Sequence, residues 1–210
     1  MKRLFLLVCS LALCSSPLWA IPANTPPKLP DPANCADGLP SSKFSEKSLY
    51  NLNSTWTTDS GQELKLSALH GRLQVMALFF TSCQHSCPLI VNDMKAIEKA
   101  LPAKLRGKVD FLLVSIDPDR DTLAALRAFR QQHGLAADWR ILRGSPEDVK
   151  RLADLVGFSY YPGSQLQFAH SLLITELNPT GDIIFQQSGS GAPPREAVAA
   201  LVRQARKWAK

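Results

Sequence analysis

Cysteine is scarce in this chain, with five in 210 residues. Two of them, Cys9 and Cys14, fall in an N-terminal apolar run, which leaves Cys35, Cys83 and Cys87. That number is too small for a fold stapled by disulfides. It is also odd, so at least one thiol is left over unless it pairs with another molecule. Charge of one sign is in short supply too. Formal net charge is +6, and Lys2 and Arg3 carry two of those charges. The remaining excess suits weak attraction to acidic partners or anionic membranes. It excludes the dense basic surface of a nucleic-acid binder. Past the N-terminal run, no apolar stretch reaches membrane-spanning length. Internal repeats are absent. Hydrophobic residues at 45% and charged residues at 20% are ordinary for a globular chain, so a disordered composition is excluded as well.

What is present begins with MKRLFLLVCSLALCSSPLWA. Two basic residues, an apolar run from Leu4 to Cys14 and the small residue Ala20 have the layout of a secretory signal over residues 1–20. An uncleaved anchor is the alternative, and membrane association would then run through this segment. Leu13 stands where a lipoprotein signal needs a small residue before its cysteine. Export predicts a periplasmic or other extracytoplasmic site. There a nearby cysteine pair can oxidise, and something must reduce it if thiols are needed. Residues 21–43, rich in Pro, Ala and Asn, read as an extended tether carrying Cys35. Globular patterning fills residues 44–210.

Within that unit, TWTTDSGQELKLSAL predicts a hairpin of two short strands around Asp59-Ser60-Gly61. LQVMALFF and KVDFLLVSID are continuous apolar runs of strand length, the pattern of central buried strands. Pro88 opens a helix with Ile90, Met94, Ile97 and Leu101 on one face. DTLAALRAFRQQHG is a helix closed by Gly134, and DWRILRG is a short strand. SPEDVKRLADLVG is a helix capped by Ser145 and ended by Gly157. SLLITEL and DIIFQQ flank the turn Asn178-Pro179-Thr180-Gly181 as a second hairpin. The last helix should bury Val198, Leu201, Val202, Ala205 and Trp208, and solvate Arg203, Arg206, Lys207 and Lys210. Alternating strands and helices closed by a hairpin and a helix predict an α/β fold, a central mixed sheet flanked by helices.

TSCQHSCP places Cys83 just after a buried strand and Cys87 at a helix start. Unpaired amides at a helix N-terminus stabilise a thiolate. At helical geometry, residues four apart have Cα atoms roughly 6 Å from each other, inside the disulfide window. The pair therefore suits a disulfide when oxidised and a two-thiolate clamp when reduced. A purely structural bridge is a poor explanation, because it closes a tiny loop and removes little unfolded-state entropy. Two inert buried cysteines would not need a helix terminus.

A clamp needs further ligands. His170, in LQFAHSLLITEL, stands just before a core strand, though a histidine satisfying a turn fits that spacing equally well. Two thiolates and one imidazole suit Cu(I), which is soft and accepts low coordination, whereas zinc normally takes a fourth ligand. His85, between the cysteines, is a rival or auxiliary ligand. His70 and His133 sit beside glycines and read as surface residues. SIDPDRDT spaces Asp117, Asp119 and Asp121 at alternate positions. It lacks the glycine and closing glutamate of a calcium loop. Asp119 or Asp121 is expected to cap the following helix, and Asp117 to steady the clamp from behind.

TSCQHSCP, VSIDPDRDT, FAHS and LNPTG, in this order, resemble the Sco/SenC family from about Leu49 to the C-terminus. The resemblance implies a thioredoxin-like fold, here with an N-terminal β-hairpin extension. It implies a copper ion held as Cu(I) or Cu(II) by Cys83, Cys87 and His170. It also implies assembly of the binuclear copper centre of cytochrome c oxidase, with the copper-centre subunit as partner and another copper chaperone and a thiol reductant as further ones. Cys83 and Cys87 would double as a redox pair. The chain departs from the family in having Gln84 where Pro is common, in His85, in Cys35, and in a signal-like start where many members keep an anchor. A non-enzymatic metal carrier is the leading reading. A thiol–disulfide oxidoreductase that reduces a partner's cysteines is the alternative, and a peroxidase or redox sensor is third.

Overall fold

The structure, a computed structural model, describes residues 44–162 and 168–208. The expected signal (residues 1–20) and the expected tether (residues 21–43), with Cys35, lie outside the described residues. Nine strands and four α-helices are present among them. They are β1 (Trp56–Thr58), β2 (Glu63–Leu64), β3 (Leu73–Phe79), α1 (Ser86–Ala100), β4 (Val109–Ser115), α2 (Leu123–Gln132), β5 (Arg140–Arg143), α3 (Pro146–Val156), β6 (Tyr160–Pro162), β7 (Phe168–His170), β8 (Leu173–Leu177), β9 (Ile183–Ser188) and α4 (Arg195–Trp208). Short 3-10 turns at Leu49–Asn51 and Leu66–Leu69 precede β1 and β3.

Seven strands form one mixed sheet in the order β2-β1-β5-β4-β3-β8-β9. β3, β4 and β5 run parallel, and β1 and β8 join this centre antiparallel. Every residue of β3 and β4 is buried, as the unbroken apolar runs require of strands covered on both faces. On one face Phe79 packs on Phe129 of α2, with ring centroids 4.6 Å apart. Lys95 of α1 reaches the His133 carbonyl at the end of α2, and α1 also packs against α4. On the opposite face Gln186 of β9 donates to the carbonyl of Val156 at the end of α3. Three helices thus cover one face and α3 covers the other. This is the central mixed sheet flanked by helices that the order of elements predicts, and the thioredoxin-like fold that the family resemblance implies.

Local chemistry sets the ends. Ser145 caps α3 by accepting from the Asp148 amide at 3.1 Å, and Gly157 closes it with φ of 71°. Gly181 in the β8–β9 turn has φ of 85°, and a Cβ there would lie 2.6 Å from Ser48 Oγ. Only glycine satisfies both demands. Three expectations need correction. α1 begins at Ser86, so Cys87 lies inside its first turn. α2 is capped by the Thr122 hydroxyl rather than by Asp119 or Asp121, because the Asp121 side chain turns inward. Trp208 is 49% exposed and stacks edge-on with His70, since α4 has run past the sheet it covers.

The β6–β7 hairpin, which pairs Tyr160 with His170, is absent from the sequence reading. Its strands have three residues each and lie outside the main sheet, too short to leave a periodic signal.

Candidate metal centre

The topology brings the proposed ligands together. β3 delivers the chain to Phe80, a turn carries Cys83, and α1 starts at Ser86. β8 runs antiparallel to β3 with Ala77 opposite Ile174, so the beginning of β8 lies beside the end of β3. His170, just upstream of β8, is thereby placed at the β3–α1 junction. One ligand atom from each of Cys83, Cys87 and His170 lies within 4.8 Å of the other two.

Cys83 is the polarised member. Its Sγ accepts from the Cys87 amide at 3.2 Å, a free N–H of the first helical turn. His85 occupies the N-cap position of α1 but its side chain makes no cap bond, so a sulfur performs that role. Ser86 Oγ lies 3.1 Å from Cys83 Sγ, and His170 Nε2 lies 3.9 Å from it. A thiol hydrogen bond from Cys87, with help from His170, Ser86 and the Cys87 amide, outweighs partial burial and pulls the Cys83 thiol down to about 2. Cys87, fully buried, shifts the opposite way, because it donates to that thiolate and burial disfavours a second charge. These opposite directions assign the thiolate to Cys83 and the thiol to Cys87.

His170 is oriented on both ring nitrogens. Nδ1 lies 2.8 Å from the Ser171 carbonyl, which can only accept, so Nδ1 carries the proton. The Nε2 lone pair then faces Ser86 Oγ at 2.9 Å and the sulfurs beyond. A ligating imidazole whose far N–H is anchored to a carbonyl is the usual outer-shell arrangement of metal sites. Phe158 stacks on the ring at a centroid distance of 5.8 Å and Phe80 meets it edge-on at 5.5 Å. The Cys83 thiolate raises the affinity of the imidazole for a second proton, against its burial.

Asp121 clasps the turn that carries Cys83. Its carboxylate accepts from the Thr81 amide at 3.2 Å, from the Thr81 hydroxyl and from Ser115 Oγ at 2.6 Å. Burial raises its proton affinity and those bonds lower it, with burial ahead. Asp117, expected behind the clamp, instead pairs with Arg120. His85 is exposed and outside the ligand cluster, and His70 and His133 do not join it either. Ser86, Thr81 and Phe158 escaped the sequence reading. Nothing in their local pattern sets them apart, because their roles come from contacts across the fold.

A sequence profile of the SCO1/SenC family matches residues 45–206. The chain belongs to the SCO1/SenC family. A protein of Stutzerimonas stutzeri named for copper binding is 28% identical over 126 residues, 58% of this chain and 61% of that relative. The chain thus spans less than two thirds of that relative's length. Arabidopsis thaliana ScoI, solved with copper bound, is 20% identical with a TM-score of 0.63, covering 73% of this chain and 96% of that one. BsSco, described as a member of the Sco family of cytochrome c oxidase assembly proteins with a disulfide switch, is 21% identical with a TM-score of 0.63. It covers 76% of this chain and 96% of its own. At these identities the two solved structures speak to the SCO1/SenC fold alone.

Proposed function

We propose that this SCO1/SenC protein is a copper carrier that binds the ion through Cys83, Cys87 and His170 and supplies it for assembly of the binuclear copper centre of cytochrome c oxidase. The observation that carries the reading is the convergence of two sulfurs and a pre-oriented Nε2 lone pair within 4.8 Å. Soft thiolates select a soft ion, and three donors complete Cu(I) without a fourth ligand. Copper is cargo here. On its arrival the Cys87 thiol gives up its proton to solvent, so uptake weakens in acid. His170 needs no rearrangement, since Ser171 already holds its tautomer. The copper-binding relatives support the choice of metal, and the family's link to oxidase assembly supports the recipient. The signal-like N-terminus supports an extracytoplasmic site of action, with cleavage after Ala20.

A second reading rests on the unequal thiols. A stable Cys83 thiolate beside a buried Cys87 thiol is the layout of a thiol–disulfide reductant, whose exposed member attacks and whose buried member resolves. One experiment separates the two. Cu(I)-loaded protein is mixed with the metal-free, already reduced copper-centre domain of the oxidase subunit. Two copper ions per recipient are expected on the re-isolated domain, and the visible absorption of the centre should appear once one electron per centre is removed with ferricyanide. If the recipient stays empty, while its oxidised form is reduced on mixing with the copper-free protein, the reductant reading replaces the carrier.

A further inference from the structure

His85 has no structural employment. It stands two residues from each cysteine, at the N-cap of α1, where its side chain makes no cap bond. Its side chain has no hydrogen-bond partner among the described residues, and it is exposed. Nor is it part of the resting cluster of Cys83, Cys87 and His170. The potential ligands are graded in depth. Cys87 is fully buried, Cys83 and His170 are half-buried, and His85 is outermost.

That grading matters for a carrier, which has to release what it holds. His170 reaches the site from the β6–β7 hairpin, with Nε2 3.9 Å from Cys83 Sγ and 2.9 Å from Ser86 Oγ at the start of α1. A recipient's ligand can approach the metal there only after His170 leaves, and departure alone would strand copper on two sulfurs. An imidazole two residues from both sulfurs has Cα atoms within about 7.6 Å of theirs. Exposed side chains change rotamer in nanoseconds or less, so the His85 ring is free to sample that span.

We propose that His85 is the transfer ligand of the site. It replaces His170 on Cu(I) and leaves the metal held by residues 83–87 alone, with the position of His170 open to a recipient's ligand. The exchange balances. The bond from copper to His170 Nε2 breaks and a bond to an imidazole nitrogen of His85 forms. Both are neutral two-electron donors, so the metal stays Cu(I), and no proton or electron moves. The inference rests on the carrier reading above and adds the route by which the cargo leaves.

A double-mutant cycle tests it. Cu(I) affinities of the reduced wild type, His85→Ala, His170→Ala and the double variant are measured by competition with a chromophoric chelator. Thermal melts serve as the fold control. H85A alone should change affinity by no more than about twofold, because His170 fills the place. In the H170A background the same substitution should cost about tenfold, a coupling within the range for groups that share a partner. H85A should also slow handover of Cu(I) to the chelator several-fold. An H85A effect equal in both backgrounds overturns the inference and leaves the carrier standing. Absence of one-to-one binding by the wild type overturns the carrier reading itself.

Discussion

Glu176 is the most costly side chain in the sheet. It lies in β8 opposite Val75 and Phe185, is fully buried, and neither carboxyl oxygen has a hydrogen-bond partner among the described residues. Burial lifts its pKa from 4.5 to about 8, against the pull of the Arg203 charge. The folded state therefore binds the proton more tightly than the unfolded chain. Stability is complete below the unfolded pKa and is lost as pH rises through the folded one. At 1.36 kcal/mol per unit, the loss comes to about 3 kcal/mol by pH 7 and roughly 5 kcal/mol above pH 8. Glu176→Gln keeps the size of the protonated acid and removes the titration. Urea denaturation of reduced, metal-free wild type and E176Q from pH 4 to 8.5 tests this, because the other titrating groups are common to both proteins and cancel. The variant should gain on the wild type steadily with pH, beyond any constant offset from burying an amide. Parallel profiles would refute the reasoning and place a partner for the carboxylate within the fold.

Asp121→Ala should strand the buried donors of Thr81 and Ser115, cost about 2–4 kcal/mol in urea denaturation, and weaken copper retention by slackening the turn under Cys83. Asp121→Asn should recover part of both losses. Alkylation of the reduced protein by iodoacetamide, with the modified sites read by mass spectrometry, should label Cys83 and spare buried Cys87. The rate should stay flat between pH 5 and 8, since the thiolate is already formed. In denaturant it should rise about tenfold per unit across that range, as for an ordinary thiol.

The sequence was legible where a pattern is local. The apolar runs of β3 and β4, the caps of α3 and the turn between β8 and β9 all announce themselves within a few residues, because burial on both faces, orphan amides and positive φ each demand particular residue types. Cys83 and Cys87 were legible for the same reason, by spacing and by a helix start. Placement of His170 against them was not, since it depends on β8 pairing antiparallel with the neighbouring β3, a contact between residues a hundred positions apart. The resemblance to a family supplied that placement and the residues did not. Asp121 was misread by a competition that sequence cannot resolve. Two adjacent residues were able to cap α2, and Thr122 took the cap, leaving the carboxylate to Thr81 and Ser115. Glu176 sits inside an otherwise apolar strand and gave no sign of lacking a partner.

The central claim is that Cys83, Cys87 and His170 form one soft three-ligand site. Its most direct test is a Cu(I) titration of the reduced chain from Ile21, in competition with a chromophoric chelator, beside Cys83→Ser and His170→Ala. The account predicts tight one-to-one binding by the wild type, collapse of binding in C83S and a marked loss in H170A. Binding that is weak, or indifferent to H170A, would contradict it.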